Sequence, residues 1–393
     1  MRFTFTPEQE AFRLDVRDFL EAEIQAGVFS TRCADLVQPG NREFSLKMAE
    51  RGWIGLTWPR EYGGQGRTYV EKYILMEELF RVQAPLGYHF AGDRQVGPAL
   101  IHFGSDWQKE HFLPRIVRAD EGTVFCLLFS EPEAGSDLAG ITTKALKDGD
   151  YYVINGQKVW TSGAHQADHG WLLARTDLAP ESNRYLSCSE FIVDMKTPGI
   201  TIRPIVNMVG EHSFNEVFFD DVKIHRNYLV GRENQGFKQI MAQVDYERAG
   251  LERLMQNYPL FVQLKEYVQT LDKADGGAEY PTWARDQVAQ LEIEYQIGRL
   301  LCYKTAWMID QGATVSSQAA MCKAFCTQYE QRLNDAASRI VGPLSLIRRG
   351  SSWAPMRGDL AECLLYQPSY TIQGGSVEVL KNIIALRGLG LSR

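Results

Sequence analysis

The chain has 393 residues, a hydrophobic fraction of 45%, and 42 Lys plus Arg against 49 Asp plus Glu, giving a formal net charge of -7. Its length predicts two or three packed domains, and its charge balance excludes a general nucleic-acid binder while leaving room for a local basic patch. No apolar run is long enough to cross a bilayer, no signal-type apolar stretch follows the N-terminus, and seven scattered cysteines without a Cys-x-x-Cys pair read as reduced thiols of a cytoplasmic protein.

The first element is a helix. Thr6 caps it, Pro7 suits its first position, and Gln9 closes a capping box. Phe12, Val16, Phe19, Leu20 and Ile24 then share one face. Further helices are expected to about residue 120, broken by the turn-rich Trp58–Gly66.

Near Gly122 the pattern changes to strands. Tyr151–Ile154, Asn155-Gly156 and Gln157–Trp160 read as a hairpin with a type I′ turn. Strands follow at Trp171–Ala174, Phe191–Val193, Ile200–Ile202 and Val217–Phe219, as in a compact barrel or sandwich. Helical periodicity returns at Gly236 and lasts almost to the end, with a long loop expected over Asp272–Thr282. Helices, strands, helices is not the alternation of a doubly wound sheet, and no Gly-x-Gly-x-x-Gly follows a strand. His165 and His169 lack a third ligand nearby, so no metal is expected. Cys322 and Cys326 share a helix face and read as core. Arg60-Glu61 and Arg348-Arg349 read as solvated charges.

Several motifs stand in one order along the chain. These are Gly52-Trp53-Ile54-Gly55-Leu56, Ser130–Asp137, Val159-Trp160-Thr161-Ser162-Gly163, Phe214–Val222, Tyr370–Glu378 and Asn382-Ile383-Ile384-Ala385. Together they resemble the acyl-CoA dehydrogenase family. The resemblance implies a mainly α fold with a central β domain: an N-terminal helical domain (1–121), a β-barrel-like middle domain (122–232) and a C-terminal four-helix bundle (233–393). It also implies FAD between the last two. By position Ser130 faces the pyrimidine edge, Trp160 packs on the ring and Ser162 lies near N5. Gly375, Ser376 and Glu378 lie by the ribityl and diphosphate part. Ser136, Asp245 and Arg248 match positions near the acyl-CoA.

The implied reaction is α,β-dehydrogenation of an acyl-CoA to its trans-2-enoyl-CoA, with an electron-transfer flavoprotein as acceptor. The family's usual catalytic glutamate is replaced by Gly374. Glu247 fills the alternative position used by the isovaleryl and long-chain branches, so it is the expected base, its pKa raised by desolvation in an apolar site. Gly374 retains a backbone N–H, which the family points at the thioester oxygen. The space freed at Gly374 points to a branched or bulky acyl group. The family's Arg-x-x-Phe-Gly motif, which reaches a neighbour's FAD, is missing from Asp275–Trp283, and Val341-Gly342-Pro343-Leu344 replaces its Gly-Gly-x-Gly. These departures are similar to the catalytic chain of bacterial heteromeric steroid side-chain dehydrogenases. They imply a homologous second chain in an α2β2 heterotetramer, with a homotetramer or homodimer as alternative. A non-catalytic subunit and an enzyme for carrier-protein thioesters are the competing readings.

Overall fold

The computed structural model describes residues 4–31, 40–179, 181–248, 250–274 and 282–392, without the side chains of 244–248 and 271–274. The helices are α1 (Pro7–Gln25), α2 (Arg42–Glu50), α3 (Tyr69–Arg81), α4 (Gly97–Phe103), α5 (Asp106–Val117), α6 (Gly236–Arg248), α7 (Tyr258–Ala274), α8 (Thr282–Asp310), α9 (Ser316–Val341), α10 (Asp359–Tyr366) and α11 (Val377–Ile383). Between α5 and α6 run β1 (Phe125–Leu128), β2 (Lys144–Asp148), β3 (Tyr151–Lys158), β4 (His169–Arg175), β5 (Cys188–Asp194), β6 (Ile200–Val206), β7 (His212–His225) and β8 (Leu229–Val230). Local chemistry sets several starts. Thr6 and Gln9, Thr68 and Glu71, and Ser105 and Gln108 form reciprocal capping boxes at α1, α3 and α5, each satisfying two otherwise orphan N–H groups. Among the described residues no helix is long and apolar enough to cross a membrane.

The chain divides into two compact units. The sheet unit takes Pro39–Arg67 and Pro85–Glu247. Its strands pair in the order β6-β7-β3-β2-β4-β5-β8, with β1 added beside β4. The sheet is mixed: β1 and β2 meet β4 in parallel, and the remaining pairs are antiparallel. Leu128, Ile154, Leu172, Phe191, Val217 and Val222 belong to its dry core. Alternate strand residues supply that core, as a pleated sheet covered on one face requires.

The expected hairpin at Asn155-Gly156 is not formed. β3 runs straight through both residues with a bulge, and β2 and β3 turn instead at Gly149, where φ is +61°. A Cβ at Gly156 would stand 2.5 Å from Thr143 Oγ1, and the Asn155 amide donates to Asp221 at 2.9 Å. The pair therefore serves close strand approach at a bulge, a second use of strand glycine that sequence alone cannot separate from a turn.

The helical unit takes Met1–Gln38, Thr68–Ala84 and Arg248–Arg393. Arg13 of α1 reaches Glu77 and, at 2.6 Å, Glu78 of α3, while Arg299 of α8 reaches Glu77. Asp310, at the end of α8, accepts the first N–H groups of α3, at 2.6 Å from Tyr69 and 3.0 Å from Val70. Arg349 is not merely solvated. It pairs with buried Asp359 at 2.5 Å and Glu362 at 3.1 Å. Of the expected loop Asp272–Thr282, residues 272–274 close α7 and Thr282 opens α8; residues 275–281, which carry most of the altered Asp275–Trp283 stretch, lie outside the described residues.

Candidate cofactor and substrate site

In the sheet unit, Ser130 sits between two anchors. Buried Lys158 donates from Nζ to the Phe129 carbonyl and to Glu131 Oε1, both at 2.9 Å. Glu131 also accepts the Thr142 N–H at 2.6 Å, the Thr142 hydroxyl at 2.8 Å and the Thr143 N–H at 2.9 Å. Burial pushes this carboxylate up, but the Lys158 charge and the threonine donors outweigh it and hold it at about 2. Burial draws Lys158 down to about 8 against the pull of Glu131. Both neighbours of Ser130 are thereby fixed by one ammonium group. The Val159 N–H donates to the Ser130 carbonyl at 2.9 Å, so the Ser130 and Trp160 segments lie side by side.

Trp160 is 60% exposed and has a left-handed φ of +59°. An open indole on a strained backbone is uncommon in a core-building strand. The strain is held by the neighbouring turn. Asn215, fully buried, accepts the Thr161 N–H on its carbonyl at 3.1 Å and donates from Nδ2 to the Thr161 carbonyl at 2.9 Å. The Gly163 N–H donates to the Ser213 carbonyl, and Phe214 meets the Trp160 ring edge-on, 6.1 Å between centroids. Ser162 and Ser136 are exposed, and Ser130 is half-buried. His165 stacks on His212 at 3.9 Å, and His169 stacks on Phe125 at 5.3 Å. Among the described residues no group of three or more metal-ligating side chains occurs.

α6 carries three further candidates. Asp245, Glu247 and Arg248 occupy its C-terminal end, and their side chains lie outside what the structure describes. Its N-terminal half is tightly built. A Cβ at Gly236 would stand 2.8 Å from Ser189 Cα, so the helix starts against β5 at a distance only glycine allows. Glu190 of β5, fully buried, accepts from Trp171 Nε1 at 2.7 Å, Gln239 Nε2 at 2.8 Å and Gln243 Nε2 at 3.0 Å. Burial pushes Glu190 up to about 7, opposed by these three donors.

The helical unit holds the last group. Gly374 and Gly375 have φ of +67° and +102°, conformations open to glycine and costly for other residues. Buried Lys323 of α9 donates from Nζ to the Gly375 carbonyl at 2.6 Å. Ser376 caps α11, accepting the Val379 N–H, and Glu378 stands exposed in its first turn. Its own backbone N–H and the Ser376 hydroxyl hold Glu378 below the usual range. Upstream, Tyr370 donates to Asn257 Oδ1 at 3.2 Å, and Asn257 donates to Glu330 Oε2 at 2.7 Å. Burial pushes Glu330 up to about 8.

Each group by itself has chemistry that suits part of a flavin dinucleotide. An exposed indole beside small hydroxyls suits a flat heteroaromatic ring with acceptor edges. Two adjacent glycines let backbone approach a ligand closely, and a carboxylate accepts from ribityl or ribose hydroxyls. Sequence reading missed the groups that hold these residues: Lys158, Glu190, Lys323, and the inward roles of Glu131 and Asn215. A charged residue at a strand end is the faint signal for Lys158. Glu190 carries a stronger one, as a carboxylate directly before the apolar run Phe191–Val193 within β5.

Comparison with known proteins places the whole chain. Family models described as the acyl-CoA dehydrogenase N-terminal, middle and C-terminal domains match residues 6–120, 126–222 and 234–389. Acyl-CoA dehydrogenase FadE29 of Mycobacterium tuberculosis is 33% identical, covering 100% of this chain and 99% of its own. Acyl-CoA dehydrogenase IpdE1 of the same organism is 34% identical, covering 98% of each. Among solved structures, the Tcur3481-Tcur3483 steroid ACAD has a TM-score of 0.88 at 30% identity, covering 100% of both chains. The ChsE4-ChsE5 complex from Mycobacterium tuberculosis has a TM-score of 0.84 at 30% identity over 100% of both chains.

Proposed function

The chain belongs to the acyl-CoA dehydrogenase family, FAD-dependent oxidoreductases acting on CH–CH bonds, and on that premise we propose that it converts a bulky or branched acyl-CoA, such as one bearing a steroid side chain, to the trans-2-enoyl-CoA. Gly374 carries this reading. It offers no carboxylate and no bulk, and it stands exposed in a left-handed turn. The base is then Glu247, which removes the proton alpha to the thioester carbonyl. The Gly374 N–H polarises that carbonyl, an oxyanion device that needs no side chain. Asp245, Arg248 and Ser136 hold the CoA portion. Ser130, Trp160, Ser162, Gly375, Ser376 and Glu378 hold the cofactor. FAD, when bound, supplies the acceptor for the hydride from the beta carbon.

A homologous second chain completes the enzyme, as an α2β2 heterotetramer in the cytoplasm that passes electrons to an electron-transfer flavoprotein. Two full-length structural relatives, the Tcur3481-Tcur3483 steroid ACAD and the ChsE4-ChsE5 complex, carry paired names. Leu346 and Trp353 of the helical unit are 72% and 77% exposed, large apolar side chains suited to an interface. The six described cysteines are buried thiols, in keeping with a reducing compartment.

The test is expression alone and with the homologous chain, followed by bleaching of the yellow cofactor with a panel of acyl-CoAs. The reading expects flavin-poor protein alone and faster bleaching by an alpha-methyl or steroid side-chain thioester than by a straight chain. Glu247→Gln should keep FAD and lower turnover at least ~10²-fold. A flavin-replete homotetramer turning over straight chains best refutes the substrate and the heteromer; near-normal turnover of Glu247→Gln refutes the base. Gly374 also favours a second reading, a non-catalytic subunit, which predicts no bleaching by any thioester.

A further inference from the structure

Moving the base from the C-terminal turn to α6 changes what must be rigid. A glutamate on a helix is only as well placed as that helix. α6 is held by three features of β5: the close approach at Gly236, the Asn234 N–H donating to Ser189 Oγ at 2.8 Å, and the carboxylate of Glu190. The first two fix where the helix begins. Further along, Cys188 of β5 packs with Ile240, and Glu190 makes the polar ties, binding Gln239 and Gln243, which are one helical turn apart. Glu247 is the next position on that stripe, four residues beyond Gln243. Ile240 of the same helix packs into a small buried cluster with Ala134 and Ile141, which flank the loop after Ser130. Glu190 is not needed to fill the core, since an apolar residue would do that without burying a carboxylate. Nor does it balance a charge, since its three side-chain donors are neutral.

We infer that Glu190 is a positioning residue for catalysis: with Trp171, Gln239 and Gln243 it fixes the rotation and slide of α6 on β5, and so fixes where Glu247 stands. The inference rests on the reading of Glu247 as base. Trp171 holds the carboxylate from β4, and the carboxylate holds two consecutive turns of the helix. Loss of the acceptor leaves α6 held by its start, by the packing of Ile240 and by the Gln239 bond to the Val230 carbonyl at 3.2 Å, and removes the tie at Gln243. A displacement of about 1 Å at a reacting group can lower a rate about 10²-fold.

The experiment compares Glu190→Leu and Glu190→Gln in the purified holoenzyme, each alone and with Glu247→Gln. Glu190→Leu should lower kcat at least about tenfold while KM for the acyl-CoA and flavin content change less than about twofold. Glu190→Gln keeps one acceptor oxygen, and the partner glutamines can turn their own oxygens toward its N–H groups, so it should recover kcat to within about threefold. In the Glu247→Gln background Glu190→Leu should cause no further loss. Backbone amides of 239–248 should exchange faster in Glu190→Leu while those of β4 and β7 do not. Should Glu190→Leu fail to fold, Gln243→Leu cuts the same link from the helix side and must reproduce the kcat loss. Unchanged kcat, or an equal loss in both backgrounds, overturns the inference and leaves Glu247 in place. Near-normal turnover of Glu247→Gln alone removes the base reading instead.

Discussion

Glu131 and Glu190 are the same residue type in the same sheet unit, 5% and 0% exposed, yet their surroundings drive them in opposite directions. Burial raises the pKa of both. At Glu131 a buried ammonium and the Thr142 and Thr143 donors reverse that and hold it at about 2. At Glu190 only neutral donors oppose burial, and the carboxyl stays at about 7. The first anchor is an ion pair under the Ser130 and Trp160 segments; the second is a neutral-partner junction under α6. Charge compensation therefore keeps the Glu131 carboxylate ionised at neutral pH and leaves Glu190 close to a proton equilibrium.

The strongest way to break this contrast is Lys158→Met. It leaves Glu131 buried without a counter-charge, and removing one partner of a buried pair costs about 3–5 kcal/mol. Urea denaturation should show that loss, and Lys158→Met with Glu131→Gln should recover most of it. A single-variant loss below about 1 kcal/mol would mean that water reaches the site and that the ion pair is an ordinary surface one.

Glu190→Leu should cost less. It leaves the Trp171 N–H without its acceptor, about 1–3 kcal/mol for an unsatisfied buried group, and the two glutamines can turn toward each other. Its signature is in the pH dependence. Glu190 has a folded pKa near 7 against 4.5 when unfolded, so between these values the folded state binds more protons than the unfolded state. Stability then falls as pH rises through that window. Melting temperature against pH should lose part of this downward slope in Glu190→Gln. An unchanged slope would show that Glu190 is not the group titrating. Glu330 in the helical unit, pushed to about 8, should contribute a slope of the same sign that Glu330→Gln removes.

These anchors also mark what the sequence could and could not disclose. Local signals read correctly wherever the physics is local. The capping box at Thr6 and Gln9 begins α1, four of its five face residues, Phe12, Val16, Phe19 and Leu20, are buried, and Gly236 begins α6. Asn155-Gly156 misled because the same dipeptide serves a bulge as well as a turn, and only the pairing with β2 and β7 decides. Motif order named candidates in each unit, Ser130, Trp160 and Ser162 in the sheet unit and Gly375 and Ser376 in the helical unit. It did not disclose what holds them. Lys158 meets Glu131 across 27 residues and Gln243 meets Glu190 across 53, and no spacing rule links residues so far apart until the sheet brings them together.

The smallest stability effect belongs to the residue those supports display. Trp160 makes an edge contact with Phe214 and is otherwise largely open, so Trp160→Ala should alter stability by no more than about 0.5 kcal/mol. Its left-handed backbone adds a sharper test. A non-glycine residue in a sparsely populated conformation costs on the order of 1–3 kcal/mol and persists only where its surroundings over-determine it. Asn215, through its two hydrogen bonds to Thr161, is that surrounding. Trp160→Gly relieves the strain while its unfolded chain gains entropy, and these oppose each other. Its melting temperature should therefore match or slightly exceed that of Trp160→Ala, while both variants lose flavin affinity, read as cofactor released on dilution. A Trp160→Gly protein that melts well below Trp160→Ala would show that the backbone there is relaxed, and a Trp160→Ala loss well above about 0.5 kcal/mol would show that the indole is a core residue. If both variants hold flavin as tightly as the parent, the displayed ring has another partner, and the contrast between supports and display fails at the point it was meant to explain.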